Sequence, residues 1–323
     1  MGLCVIFRYT SLMFDFLSDI LNRLSLEGTF YFRTSFTEPW GVTVPAFQNV
    51  ARFHYVHKGD CVVTVKGSEE RIHLSQGDLI LIPHGASHTL TCRITEPQDA
   101  PPLDDVLERS GYDGKGLLVY GGVEPAHDSQ LICGHFSIAP GSKHVLFDRL
   151  PSSIHIKGYG NDAGDWLEAT LRVIGAEAGR ANLGGSIIAL KMSEAIFAQA
   201  IRRYIEISSD GGSDFSGFAD THISRALNAF HNSPAKSWTV EDLAQEAALS
   251  RTSFATRFSE KLGLTPMQYV TSWRIQLARD ALLTKNASVA EAADSAGYSS
   301  EAAFSRVFKK EMGLSPAKYR ELH

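Results

Sequence analysis

Near the C-terminus two segments each carry a pair of phenylalanines four residues apart, Phe254 with Phe258 and Phe304 with Phe308. On a helix that spacing makes one apolar stripe and leaves the opposite face polar. A polar helix face of this kind suits the major groove of DNA, where hydrogen-bonding side chains meet the edges of base pairs. The neighbouring residues repeat too. Val240, Ala244, Ala247, Ser250, Gly263, Pro266 and Tyr269 return as Val289, Ala293, Ala296, Ser299, Gly313, Pro316 and Tyr319. The offset is 49 as far as Ser250 and Ser299 and 50 from Phe254 and Phe304, so one inserted residue separates two copies of a unit.

Each copy supplies what is needed to position its polar face. Thr239 precedes the acidic pair Glu241 and Asp242, the pattern of a helix N-cap with a favourable dipole pairing. A tight turn at 248–250 follows, and Ser250 is expected to cap the second helix. In the second copy Ser288 caps the first helix, Gly297 supplies the turn and Ser299 is expected to cap again. Ala244, Ala247, Ala293 and Ala296 are small enough for two short helices to cross closely, which makes each copy a helix-turn-helix. Between them, residues 269–283 have helical periodicity; a rigid helix there would hold the two polar faces about 34 Å apart, one turn of DNA.

Composition fits this arrangement without demanding it. The chain has 323 residues, enough for two domains, and its 44% hydrophobic content marks a globular protein. The net charge of −5 is uneven: from Phe218 onward 13 Lys and Arg face 11 Asp and Glu, so the acidity lies in the N-terminal part. Cys4, Cys61, Cys92 and Cys133 form no CxxC pair, which implies reduced thiols and a cytoplasmic location. The apolar run 3–7 is too short to span a membrane and lacks a cleavage site. Met13 opens an amphipathic helix through Leu24 and is a candidate natural start.

Before the repeat, short alternating or apolar runs at 30–33, 51–57, 61–65, 71–74, 78–83, 88–92 and 130–138 are separated by Gly, Pro, Asp and Ser clusters. Many short strands of this kind predict a β-sandwich or barrel over residues 27–150. Residues 97–116 are polar and Pro-rich and are expected to form a mobile loop. From Asp165 the period becomes helical in two segments separated by Gly184 and Gly185, and 208–217 (SSDGGSDFSG) reads as a linker. The expected organisation is a sensor domain with its N-terminal helix over 1–160, a helical pair over 161–207 as the candidate homodimer surface, the linker, and an all-α domain over 218–323.

The C-terminal phrase SVAEAADSAGYSSEAAFSRVFKKEMGLSPAKYR closely resembles the DNA-binding domain of the AraC/XylS family of transcription regulators. The resemblance implies sequence-specific binding of double-stranded promoter DNA by both second helices, contact with RNA polymerase, and a role such as that of an activator. Carried over by position, the groove-facing residues are Arg251, Thr252, Ala255 and Thr256 in the first copy and Ser300, Glu301, Ala302 and Arg306 in the second. Arg306 is the favoured base reader, because a guanidinium pairs with guanine through two hydrogen bonds. Arg257, Lys309 and Lys310 are candidate phosphate contacts.

FHYVHKGDCVVTVKG and LSQGDLILIPHGASHTL resemble the two motifs of the cupin barrel. The fold class is therefore α+β multidomain: an N-terminal cupin-like β-barrel with flanking helices, then an all-α domain with two helix-turn-helix motifs. In metal cupins a His-x-His pair, a Glu and a second-motif His bind a divalent metal. Here His54 and His57 are three apart and face opposite ways on a strand, which leaves His54 and His88 to converge as effector-pocket residues or as partial metal ligands. No cofactor is required on this pattern, and the incomplete ligand set disfavours the alternative of a cupin isomerase or dioxygenase fused to a DNA-binding module. The combination with AraC-type helices is similar to the cupin-6 group, which includes a regulator responding to reactive chlorine through cysteine oxidation. Cys133 falls at one of that group's reactive positions, whereas residues 29–39 hold no second cysteine. The expected effector is accordingly a small molecule or an oxidant.

Overall fold

The computed structural model describes residues 15–23, 26–114, 116–123, 128–138, 141–142, 144–159, 166, 169–170, 173, 183–209, 216–284 and 287–322. They form two compact units: Ser25–Pro140 with Phe147–Tyr204, and Met1–Leu24 with Gly141–Leu146 and Ile205–His323. No helix among the described residues is long and apolar enough to cross a membrane.

The first unit is built on two sheets. β1 (Leu26–Thr37), β3 (Val50–Lys58), β6 (Leu79–Ile82), β8 (Leu117–Gly121), β9 (Asp128–Ile138) and β10 (Ile154–Ile156) form a six-stranded sheet in the order β10-β6-β3-β9-β1-β8. β2 (Gly41–Val44), β4 (Asp60–Val65), β5 (Arg71–Ser75) and β7 (His88–Thr91) form the second, ordered β2-β7-β4-β5. Strand periodicity decides what each face holds. Val56 of β3 belongs to a core with Leu131, Cys133, Ile80, Ile82, Val63 and Leu90, so Arg52 and His54 share that inner face. The alternate residues pack outward: Phe53 meets Phe136 at 5.4 Å, and Phe136 meets Phe197 at 4.7 Å. β3 is buried on both faces from Ala51 to Val56, so its burial shows no alternation, although Arg52 and His54 interrupt its apolar residues.

Residues 97–116 differ from the loop expected. Pro97–Asp99 is a 3-10 turn and Leu103–Ser110 is α2, closed by Gly111 in the left-handed region (φ 64). Leu103, Val106 and Leu107 have helical spacing and pack on the barrel core, and Val106 is fully buried. Proline content masked that stripe. After α3 (Val145–Asp148), the long helix α4 (Gly185–Ser209) buries Ile196, Phe197, Ala200 and Ile201. Most of its expected partner helix, 165–182, lies outside the described residues, as do Cys4, Met13 and residues 210–215 of the expected linker. Ser208 and Ser209 are helical, and Ser216 and Gly217 begin α5 (Ser216–Ala219).

The second unit is helical. By contacts α1 (Phe16–Arg23) groups with it. The reason lies in its partners: Phe16 stacks on Phe218 at 6.1 Å, and Asp19 accepts a hydrogen bond from His231 Nδ1 at 2.9 Å. The remaining helices are α6 (Thr221–Asn232), α7 (Val240–Glu246), α8 (Arg251–Leu262), α9 (Pro266–Thr284), α10 (Val289–Ser295), α11 (Glu301–Met312) and α12 (Pro316–Leu322). The sequence repeat is a repeat of packing. Phe254 and Phe258 stand 5.5 Å apart at 57°, Phe304 and Phe308 5.5 Å apart at 56°. Phe258 meets Tyr269 at 5.8 Å and 78°, while Phe308 meets Tyr319 at 5.6 Å and 79°.

Candidate DNA interface and barrel interior

Both helix-turn-helix units are held at their starts by reciprocal caps. Thr239 and Asp242 form a capping box on α7, and Ser288 and Glu291 form one on α10. The turns that follow use a left-handed residue, Ala248 (φ 54) in the first copy and Gly297 (φ 74) in the second. Ser250 then caps α8 by accepting from the Ser253 amide. In the second copy the cap is Ser300, accepting from the Ala303 amide, and not Ser299 as expected. Ser250 therefore corresponds to Ser300, and the inserted residue lies ahead of the cap, within the turn.

This framing sets the outward faces. Arg251, Thr252, Thr256 and Arg257 are exposed on α8 and Ala255 is half-buried, while Ser300, Glu301, Ala302, Arg306, Lys309 and Lys310 are all exposed on or beside α11. At corresponding positions the copies differ in charge: Arg251 against Glu301, Thr256 against Arg306, Glu260 against Lys310. The two faces thus share a shape and differ in what they offer to a base edge. Arg257 has a second occupation. Its Nε donates to Asp220 at 2.8 Å, and Lys261 lies 3.5 Å from the same carboxylate. Asp220 caps α6 through the amides of His222 and Ile223, and its carboxyl is held below the ordinary range: burial opposes this, but hydrogen bonds from Arg257 and the two amides outweigh it. Val307 stands at the equivalent place in α11, so this tie is peculiar to the first copy.

Inside the barrel, His54 and His88 converge as their spacing suggested, with Nε2 atoms 2.8 Å apart. The proton positions follow from the partners. His88 Nδ1–H donates to the Ala86 carbonyl at 2.9 Å, so in a neutral ring its Nε2 accepts from His54 Nε2–H. Burial lowers the affinity of both for protons, strongly for His54, and His88 falls to about 4. This donor set does not fit a divalent metal centre. It offers two imidazoles already bonded to each other, and among the described residues no group of three His, Cys, Asp or Glu side chains is placed to hold an ion. Cys133 pairs in register with His54 and is 4% exposed. Burial pushes its thiol far above the ordinary range, and the nearby Arg52 offsets this only in part. Arg52 itself was missed at the sequence level, although a charge two residues before His54 in an apolar strand was a usable signal.

Known proteins match both units. A cupin family model (Cupin_6) matches residues 15–206, and a helix-turn-helix domain model (HTH_18) matches residues 243–322. The chain is similar to a putative AraC-like transcription regulator of Streptomyces lividans, with 33% identity covering 95% of this chain and 98% of that one. It is similar to the RCS-specific HTH-type transcriptional activator RclR of Escherichia coli, with 23% identity covering 95% of this chain and 97% of the other. Among solved structures it resembles the DNA-binding domain of AdpA in complex with a target DNA, with 31% identity, 32% of this chain and 92% of that one covered, and a TM-score of 0.31. Over nearly its whole length, then, a Cupin_6 domain followed by paired helix-turn-helix units makes this chain a member of the AraC-like family of DNA-binding transcription regulators.

Proposed function

We propose that the protein binds promoter DNA sequence-specifically through α8 and α11 in successive major grooves, acts in the cytoplasm as an activator in contact with RNA polymerase, and is controlled by an effector in the barrel. The observation that carries this reading is the pair of superimposable packing units, each with its phenylalanines buried and its opposite face exposed. α9 has 19 residues, a rod of about 28 Å at 1.5 Å per residue, which suits two contacts about one DNA turn apart. Arg306 is the principal base reader, and the α8 face reads through Thr252 and Thr256. The segment 161–207 serves as the homodimer surface. The effector, a small molecule or an oxidant, acts by binding one conformational state better than another.

Genome-wide mapping of bound sites followed by footprinting tests the reading. Two protected half-sites about ten base pairs apart, on one face of the duplex, are expected. Protection with no sequence preference would sink it.

A further inference from the structure

The inner face of the six-stranded sheet holds a buried cation with no counter-charge. Arg52 is only 8% exposed and its Nε donor has no hydrogen-bond partner. None of the ion pairs among the described residues involves it. Its guanidinium lies 4.5 Å from the Phe47 ring, which is 48% exposed, and His135 stands opposite it in register on β9. A buried ion without a partner is costly, so a fold that retains one invites an anion.

His54, two residues on and on the same face, lacks a partner of the opposite kind. Its Nε2–H is committed to His88, and its Nδ1 is buried and unbonded. With His54 neutral, Nδ1 is a bare acceptor. Same-face neighbours on a strand are about 6.8 Å apart. Arg52 and His54 are therefore same-face neighbours beside the packed apolar residues Val56, Leu131 and Cys133.

We propose that the barrel receives a short 2-hydroxycarboxylate, its carboxylate paired with Arg52 and its hydroxyl donating to His54 Nδ1. The proposal rests on the reading of the barrel as a sensor and specifies its ligand class. A guanidinium presents parallel N–H groups that match a planar carboxylate. A hydroxyl on the adjacent carbon supplies the donor that His54 needs, which a simple carboxylate lacks and a fully ionised oxyanion cannot provide. Val56, Leu131 and Cys133 close the floor beneath the two groups, which favours a short ligand.

The test uses the full-length protein with glycolate as probe and acetate, methyl glycolate and sulfate as comparators, read by calorimetric titration and by Tm. Glycolate is expected to bind saturably and at least tenfold more tightly than acetate, while methyl glycolate and sulfate do not saturate. Arg52→Met should abolish glycolate binding while leaving the ligand-free Tm equal or higher, since it removes a lone buried charge; a purely structural arginine would lower Tm instead. His54→Phe should bring glycolate down to the affinity of acetate, and if that variant does not fold the glycolate to acetate ratio on the native protein carries the same information. Sulfate binding as tightly as glycolate, or glycolate binding that survives Arg52→Met, overturns the proposal. A preparation that footprints specific DNA but binds none of the probes overturns the ligand class and leaves the regulator reading standing. Glycolate binding without specific DNA protection supports the site and sinks that reading.

Discussion

Tyr269 and His231 share a 2.7 Å hydrogen bond whose direction is fixed at both ends. His231 Nδ1–H donates to Asp19, so its Nε2 must accept from the tyrosine hydroxyl. The same hydroxyl accepts from His144 Nε2–H at 3.1 Å, because His144 Nδ1 already accepts from the Leu146 amide. Every member is satisfied with both imidazoles neutral. Tyr319, the equivalent residue of the second copy, has instead Arg279 Nε at 3.2 Å, and Arg279 bonds Asp280.

Acid should therefore weaken the helical unit. Burial lowers the proton affinity of His144 strongly, and that of His231 too, where Asp19 opposes the effect only in part. A folded-state pKa below the unfolded value of about 6.5 means that the unfolded chain takes up more protons as pH falls, so stability is full above 6.5 and declines below it, by about 1.4 kcal/mol per pH unit for each such histidine. His88 adds the same trend in the barrel, down to about 4. Urea denaturation at pH 7.5 and 5.5 should show the loss, and Tyr269→Phe should cost about 1–3 kcal/mol at pH 7.5 by stranding buried ring nitrogens.

Arg306→Ala is expected to weaken specific DNA binding by about 1–3 kcal/mol and to relax preference at one base pair. Thr256→Ala, at the corresponding place in α8, should cost less. Footprint titration on matched and singly mismatched sites distinguishes these outcomes from a general loss of affinity.

Arg257 is predicted to pin the fold more than the duplex. Its bond to Asp220 is partly open to solvent, so Arg257→Ala should lower stability by about 1 kcal/mol or less. The slope of log affinity against log salt should be unchanged, whereas removal of a phosphate contact would reduce it by about one.

The turns of the two copies should respond oppositely to exchange. Ala248 holds a left-handed conformation that glycine adopts more cheaply, so Ala248→Gly should stabilise by up to about 1 kcal/mol. Gly297→Ala would place a Cβ 2.8 Å from the Ala235 carbonyl oxygen as well as straining the backbone, and should destabilise by more than that. Thermal unfolding of both variants checks the pair.

Cys133 should resist iodoacetamide in the folded protein and react once the barrel is unfolded. The thiolate is the nucleophile, and burial disfavours it. Mass spectrometry of alkylated native protein would refute this if Cys133 were labelled as fast as a free thiol.

The sequence exposes whatever repeats or alternates locally. The phenylalanine pairs, the alanines at the helix crossing and the caps at Thr239, Ser250 and Ser288 are short-range signals, and the structure places them as spacing implies. His54 and His88 were legible because each lies on a strand whose period fixes its face. Other features depend on distant partners. α1 carries an amphipathic pattern that does not say which surface covers it, and the surface proved to be that of His231 and Phe218. α2 was hidden because Pro101 and Pro102, which precede a helix comfortably, read as loop residues. The shift of a cap from Ser299 to Ser300 was beyond spacing alone, since two adjacent serines serve equally well on paper.

The docking of α1 also bears on how the molecule can be dissected. A fragment cut at the glycine-rich stretch near 210–215 would retain both helix-turn-helix units yet leave behind Phe16, Ile20 and Asp19, all of which complete its interior. His231 would lose the carboxylate that orients its ring, and Phe218 an aromatic neighbour. The compact helical unit is thus discontinuous in the chain, and a truncation designed from the linear order of motifs would leave out the contacts that α1 supplies to it.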